Sequence, residues 1–118
     1  MVKSKRDPDE LLPLTPAMFH VLIALADGEK HGYAILKEVN RRTGGKVRLS
    51  AGTLYGVIQR LEAEGAIAES GDRPDPALDD ERRRYYRLTP FGREVALAEA
   101  ARMTSMLALV RAKRLLPT

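Results

Sequence analysis

Basic side chains are concentrated in the middle of this sequence, where no carboxylate accompanies them. Between Val39 and Leu61 the basic residues are Arg41, Arg42, Lys46, Arg48 and Arg60, and no residue is acidic. A second basic group follows at Arg82, Arg83, Arg84 and Arg87. Guanidinium and ammonium groups placed in this way can replace the counterions along a phosphate backbone. A charge run by itself more often marks a solvated surface, so the elements that carry these residues must decide between the two interpretations.

The helix predicted from Ala51 to about Glu64 carries groups that could read base edges. Leu54, Val57, Ile58 and Leu61 form its buried stripe. Its other side carries Thr53, Gly56, Gln59 and Arg60. Gln can pair with adenine and Arg with guanine, while a hydroxyl near the helix start can bind a phosphate.

Two glycines lie in this predicted helix, at Gly52 and Gly56. Each lowers helix stability by about 1 kcal/mol relative to Ala, which is explained if a partner must approach the helix closely. The alternative is that the helix merely tolerates them.

Other chemistries have few residues to support them. The chain has no cysteine and two histidines, His20 and His31, so we expect no metal site, no disulfide and no thiolate nucleophile. There is no phosphate-cradling loop, and the acidic run Asp79-Asp80-Glu81 is typical of a solvated loop. We therefore expect no cofactor and no enzymatic activity. No apolar run approaches the roughly 20 residues that span a bilayer, so we expect a cytoplasmic protein with no membrane partner.

The order of predicted elements is three helices, two strands and one long helix, in a chain of 118 residues. Cap-plus-proline signals at Thr15-Pro16 and Thr89-Pro90 open the first and last helices, and Ser50 caps the third. Strands are predicted at 66–70 and 84–88, with a weak one at 46–49. This order is the winged helix-turn-helix plan, in which the third helix enters the major groove. The fold class is thus mainly α with a small β-hairpin.

The chain divides into three segments on this interpretation. Residues 1–14 are charged and punctuated by proline, which predicts a flexible arm. Residues 15–88 form the winged helix-turn-helix domain, and 89–118 form a long C-terminal helix of about 25 residues, or roughly 37 Å. That helix has a wider apolar face than the small body requires, so we expect a homodimer. The predicted dimer contacts are Phe91, Val95, Ala98, Met103, Met106, Leu107 and Val110.

Several motifs together resemble the PadR family of bacterial transcriptional regulators, from about Leu14 to the C-terminus. They are His31-Gly32-Tyr33-Ala34-Ile35, Leu49-Ser50-Ala51-Gly52-Thr53-Leu54-Tyr55, Arg60-Leu61-Glu62-Ala63-Glu64-Gly65-Ala66-Ile67 and the run from Arg84 to Glu94. The resemblance implies the short form of the family, with a winged helix and one dimerisation helix. It also implies binding to palindromic operators on double-stranded DNA and repression of neighbouring genes.

The resemblance extends to site residues. It implies DNA contacts at Tyr33, Ser50, Thr53, Tyr55 and Gln59, with the wing arginines Arg82, Arg83 and Arg84; the basic cluster adds Lys46 and Arg60. A tyrosine more commonly packs its ring and leaves its hydroxyl in water. Some family members bind small-molecule effectors near the dimer interface, but the sequence assigns no residue to one.

The wing differs from the family pattern. Residues 72–81 are long and acidic, where family wings often carry glycine and basic residues, and phosphate would repel such a tip. This feature favours an alternative in which the chain is a winged-helix protein-interaction module that binds no DNA. The absence of carboxylates between Val39 and Leu61 favours DNA binding instead.

Overall fold

The computed structural model describes residues 6–47, 49–70 and 84–116. Within these ranges a short 3₁₀ turn at Pro8–Leu11 precedes four α-helices and three strands. The order is α1 (Pro16–Leu25), β1 (Lys30–His31), α2 (Gly32–Arg42), α3 (Ala51–Ala63), β2 (Ile67–Ser70), β3 (Tyr85–Leu88) and α4 (Pro90–Ala112). The predicted succession of three helices, a hairpin and a long helix is confirmed.

Hydroxyl side chains fix where the helices begin. Thr15, Ser50 and Thr89 each accept a hydrogen bond from the backbone N–H three residues later, at 2.9 to 3.2 Å. These contacts satisfy a donor that has no partner inside the helix. The start of α2 is capped differently, because Nδ1 of His31 accepts from the Ala34 N–H at 3.1 Å.

The strands form one antiparallel sheet in the order β1-β3-β2. Lys30 pairs with Tyr86, and Ile67 pairs with Leu88. Strand β1 was not predicted, because two residues are too short to show alternation. The weak strand predicted at 46–49 is wrong for Lys46 and Val47, which lie in the turn between α2 and α3.

The core lies between the first three helices; α4 adds the buried Val95, and Phe91 and Ala96 pack against it. Val21 and Leu22 of α1 are fully buried, and Ile35, Leu54 and Val95 are at most 1% exposed. The predicted stripe of α3 is confirmed at Leu54, Ile58 and Leu61. A shared core of this kind orients α3 relative to both α2 and α4.

The N-terminal segment differs from the predicted flexible arm over residues 6–14. The 3₁₀ turn packs against α4, and the buried Leu14 donates its backbone N–H to Oε2 of the buried Glu99 at 2.8 Å. Leu11 and Leu12 also pack against the core. The prolines and charges suggested a free chain, whereas these leucines supply apolar contacts that have no helical period. Residues 1–5 lie outside the described residues.

Candidate nucleic-acid interface

One side of α3 faces solvent along its whole length. Leu54, Ile58 and Leu61 point into the core. The exposed residues on the opposite side are Gly52, Thr53, Tyr55, Gly56, Gln59 and Arg60. None of these is acidic, and the first carboxylate is at the half-buried Glu62 near the end of the helix. The structure therefore brings the predicted contacts of α3 onto one polar surface without carboxylates.

The two glycines of this surface have no packing role among the described atoms. A Cβ built on Gly52 or on Gly56 would meet no atom within 4 Å. Gly32 and Gly92 differ, because a Cβ on either would approach Tyr55 or Ala66 closely. Alanine would thus fit at Gly52 and Gly56 and would favour the helix. No packing contact within the described part of the protomer compensates for the helix stability that these two glycines lose.

Two tyrosines predicted to contact DNA, Tyr33 of α2 and Tyr55 of α3, have their side chains at the start of α2. The ring of Tyr55 covers the backbone of Gly32, and a Cβ built there would lie 3.2 Å from the tyrosine hydroxyl. Tyr33 stacks on His31 with ring centroids 6.4 Å apart. Tyr33 and Tyr55 remain 56% and 50% exposed, so each side chain has packed contacts and also surface open to solvent. Phosphates favour such a place, since helix N-termini carry partial positive charge.

Sequence reasoning missed Lys37 at this place. Its Nζ lies 5.5 Å from the centroid of the Tyr33 ring, and the side chain is exposed. The signal was present, because Tyr33 and Lys37 are four residues apart on one helix and such residues lie on the same face. Lys37 adds a positive charge beside the two tyrosines.

The turn between α2 and α3 presents Lys46 to solvent. Gly44 and Gly45 take positive φ values of 62° and 82°, a conformation that side chains with a Cβ rarely adopt. Thr43 Oγ1 donates to the Val39 carbonyl at 2.9 Å and accepts from the Val47 N–H at 3.3 Å. The turn that carries Lys46 is therefore tied back to α2.

Ser50 has a structural function in addition to the predicted contact. Its Oγ accepts from the Thr53 N–H at 3.1 Å and donates to Thr53 Oγ1 at 3.0 Å. The residue before it, Leu49, is bound to Asn40 of α2 through its backbone N–H and carbonyl. The start of α3 is thus fixed by side chains on both sides of the turn.

The wing is described only in its strands. Arg84 is exposed, and its Nη1 lies 3.7 Å from Oε2 of Glu69 on β2. This carboxylate reduces the positive field of Arg84. The predicted contacts Arg82 and Arg83, together with the acidic tip at 72–81, lie outside the described residues.

The predicted dimer contacts divide into two groups. Val95 is fully buried in the protomer's own core. Phe91 packs against that core, and the guanidinium carbon of Arg6 lies 5.5 Å from the centroid of the Phe91 ring. The dimer prediction is wrong for Val95, because a side chain without exposed surface cannot contact a second copy, and Phe91 already has intrachain partners. The others are exposed or half-buried: Ala98, Met103, Met106, Leu107 and Val110.

In ranges 6–47, 49–70 and 84–116, no group of three or more His, Cys, Asp or Glu side chains could hold a metal ion. None of the helices described there combines the length and the hydropathy that crossing a bilayer requires.

These elements define a winged helix-turn-helix protein, with α3 as the exposed second helix of the helix-turn-helix. The profile of the "Transcriptional regulator PadR-like family" matches residues 21–98. The chain therefore belongs to the PadR-like family of transcriptional regulators, and the predicted resemblance is confirmed. Because this is a family of transcriptional regulators, the expectation that the chain is not an enzyme is also confirmed.

Two relatives in sequence resemble most of this chain. "Transcriptional regulator Rv3488" of Mycobacterium tuberculosis is 39% identical over 89 residues, which cover 75% of this chain and 76% of that protein. A 37.1 kDa protein in transposon TN4556 of Streptomyces fradiae is 40% identical over 90 residues. The match covers 76% of this chain but only 24% of the Streptomyces protein, so the chain spans about a quarter of that relative's length.

Solved structures share the fold. A PadR family transcription regulator from Clostridium difficile R20291 superposes with a TM-score of 0.71 at 21% identity, covering 83% of this chain and 97% of that one. Bacillus subtilis PadR in complex with operator DNA gives a TM-score of 0.56 at 22% identity, covering 69% of this chain and 45% of that one.

Proposed function

We propose that this protein is a dimeric, sequence-specific DNA-binding regulator that represses genes near its own. The observation that carries the proposal is the exposed surface of α3, which has no carboxylate and has two glycines that make no packing contact with the described residues. A protein-interaction surface has no evident reason to exclude carboxylates and expose bare helix backbone. A groove lined by phosphates gives a reason for both. The family membership and the operator complex of Bacillus subtilis PadR support this assignment.

The side chains have different functions in this proposal. Gln59 and Arg60 project from the exposed side of α3 and would read base edges, because Gln pairs with adenine and Arg with guanine. Gly56 lies one turn away and lets the helix backbone approach the bases. Tyr33 and Lys37, at the start of α2, would bind phosphates and set the orientation without reading sequence.

The second half of α4 supports the dimer. Met103 and Met106 are exposed there, as is Leu109. Exposed apolar side chains grouped on one element are typical of an interaction surface. A twofold axis through this helix pair would present two α3 helices to successive major grooves, about 34 Å apart. Such spacing matches a palindromic operator.

Regulation by a small molecule would need a cavity, and an open groove lies between the 3₁₀ turn and α4. Its volume is about 470 Å³, within the range of small-molecule sites. The lining residues are Asp9, Leu12, Ala98, Ala101, Arg102 and Ser105. An effector bound there would touch α4 directly, and through α4 the proposed dimer.

The substitution Gly56→Ala tests the α3 surface. We expect the free energy of unfolding of this variant to exceed that of the wild type by up to about 1 kcal/mol. The reason is that Ala favours the helix and its Cβ meets no atom within 4 Å. We also expect it to bind operator DNA at least tenfold more weakly, because its methyl group occupies the space of a base edge. Fluorescence anisotropy on the DNA upstream of the gene, against shuffled DNA across a salt series, measures the binding.

A more stable variant with weaker binding cannot be explained by misfolding. Gln59→Ala, the companion variant, should lower discrimination between operator and shuffled DNA by about tenfold, the value of one base contact. If both variants bind as wild type does, α3 is not the reading surface. If the wild type retains no DNA even at low salt and captures a stoichiometric protein partner, the chain is an interaction module.

A further inference from the structure

Asn40 is a polar residue of α2 whose side chain is directed at the chain's own backbone. The Leu49 N–H donates to Asn40 Oδ1 at 3.1 Å, and Asn40 Nδ2 donates to the Leu49 carbonyl at 3.5 Å. One carboxamide therefore binds both polar groups of a single peptide residue. Asn40 is half-buried, and both of these side-chain hydrogen bonds are made to the chain's own backbone rather than left for a partner.

Leu49 is the residue directly before the N-cap of α3. Its side chain is 5% exposed and belongs to the core, and the next residue, Ser50, is the N-cap of α3. The Asn40 pair and the Leu49 side chain hold this residue from two directions. Both the depth of the first turn of α3 and its rotation about the helix axis depend on where Leu49 is held.

The rest of the turn could not fix this position alone. It contains the consecutive glycines Gly44 and Gly45, and glycine has more backbone freedom than any other residue. The Thr43 hydroxyl restrains the turn at Val47, at 3.3 Å, which is two residues before Leu49. Within the described part of the turn, Asn40 thus connects α2 by side-chain hydrogen bonds to Leu49, the residue before the N-cap of α3.

We propose that Asn40 is a positioning residue for sequence recognition: it sets how α3 sits in the DNA groove without contacting DNA. This inference rests on the proposed function. Contacts to phosphate depend mainly on charge and tolerate a small shift of the helix, whereas hydrogen bonds to base edges require fixed geometry. Loss of the Asn40 contacts should therefore reduce discrimination between sequences more than it reduces binding to DNA in general.

The test compares the full-length wild type with Asn40→Ala and Asn40→Asp. For each protein, anisotropy gives the ratio of affinities for operator and shuffled DNA at one salt concentration, and the salt slope of binding to shuffled DNA. Asn40→Ala should lower the ratio about tenfold, comparable to one lost base contact, and leave the salt slope unchanged. Asn40→Asp keeps the acceptor for the Leu49 N–H and should recover part of the ratio. Its negative charge weakens binding to both DNAs alike and so cancels in the ratio.

Ile67→Val is the control for stability. Ile67 is a buried residue of β2, away from the turn, and loss of one methylene should destabilise the protein without changing the ratio. Amide hydrogen exchange gives a readout without DNA: the Leu49 N–H should exchange faster in Asn40→Ala and near the wild-type rate in Asn40→Asp.

The outcomes separate the two proposals. A wild type that discriminates, beside an Asn40→Ala variant with the same ratio, refutes the function of Asn40 alone. An equal fall in affinity for both DNAs, with the ratio unchanged, does the same, because it shows a structural effect only. A wild type that shows no preference for operator DNA over shuffled DNA in any salt refutes the proposed function and the function of Asn40 in specificity with it.

Discussion

The two halves of α4 carry similar apolar residues but have different surroundings. Its buried residues are Gly92, Val95 and Glu99, and all three lie before residue 100. From residue 100 onward no residue of the helix is buried. Met106 and Leu109 are 51% and 64% exposed there. The first half is part of the protomer's fold, whereas nothing in ranges 6–47, 49–70 and 84–116 of the protomer accounts for the length and apolar character of the second half.

The difference shows that burial, and not hydrophobicity, distinguishes the two halves of this helix. The start of α4 is joined by direct contacts to Gly65 and Ala66, which lie between α3 and β2. Thr89 Oγ1 donates toward the carbonyls of Gly65 and Ala66, at 2.6 and 3.0 Å. The backbone of Gly92 lies against the same Ala66 carbonyl. The anchored half therefore holds the free half at a fixed angle to α3.

The largest expected effect comes from Gly92→Ala, which disturbs the packing of the anchored half of α4, residues 90–99. A Cβ on Gly92 would lie 1.9 Å from the Ala66 carbonyl oxygen, so the backbone must move. We expect the free energy of unfolding to fall by about 3 kcal/mol, the upper end of the usual range for overpacking. Chemical denaturation followed by circular dichroism measures the change.

Gly56→Ala is the matched control, because it adds the same methyl group to a helical glycine with no neighbour within 4 Å. Equal stability of the Gly92→Ala variant and wild type would mean that α4 is not packed on Ala66.

The next largest effect is on association, and it concerns the free half of α4, residues 100–112. Met103→Glu combined with Met106→Glu places four like charges in the proposed twofold interface. The dissociation constant of the dimer should rise at least about a hundredfold, which corresponds to about 2.7 kcal/mol. Folding of the protomer should change little, since both side chains are exposed. Sedimentation equilibrium over a concentration series measures the association.

Thr104→Glu combined with Ala108→Glu is the charge-matched control. Both residues are exposed, and at about 100° per residue they lie roughly 100° to 160° around the helix from the two methionines. A monomeric wild type at high micromolar concentration would contradict the dimer, as would a methionine variant that associates like wild type.

The smallest effect concerns Glu99, the last anchored residue. The Arg102 guanidinium, hydrogen-bonded to this carboxylate, holds the pKa of Glu99 below its usual value; burial opposes this effect and the Leu14 N–H adds to it. Because the unfolded chain then binds more protons, stability increases with pH. The contribution is complete above the unfolded pKa, near 4.5, and is lost as the pH falls through the lower folded pKa.

Glu99→Gln reproduces the neutral form. At pH 7 we expect the variant to be about 2 kcal/mol less stable, the value of a hydrogen bond to a charged group. This difference from wild type should shrink toward zero as the pH falls below 4.5. Glu10→Gln, at an exposed carboxylate 3.6 Å from Arg6, should shift stability by less than about 1 kcal/mol. A pH-independent difference for Glu99→Gln would refute the ionised pair.

Features encoded in adjacent residues could be predicted from the sequence. The caps at Thr15, Ser50 and Thr89 need only a hydroxyl and its position before an apolar period, and all three are confirmed. The α3 stripe and the hairpin strands follow from periods of 3.6 and 2.

Contacts between distant residues left no such pattern. The hydrogen bond between Leu14 and Glu99 joins residues 85 positions apart. Val95 and Met106 look alike in a helical stripe, and only the folded chain shows that one is buried and the other exposed. The candidate site divides in the same way: the α3 surface could be predicted, whereas the Asn40 contacts could not.

The close contact of Gly92 with Ala66 also sets the direction of α4, so a small change of angle there is amplified at the far end of the helix. With 23 residues the helix is about 34 Å long, so a rotation of about 5° at this joint moves its far end by about 3 Å. One base pair advances by 3.4 Å along DNA. In a dimer joined at the far ends, a change of about 5° in the angle at this glycine would therefore shift the operator spacing that the protein can span by about one base pair.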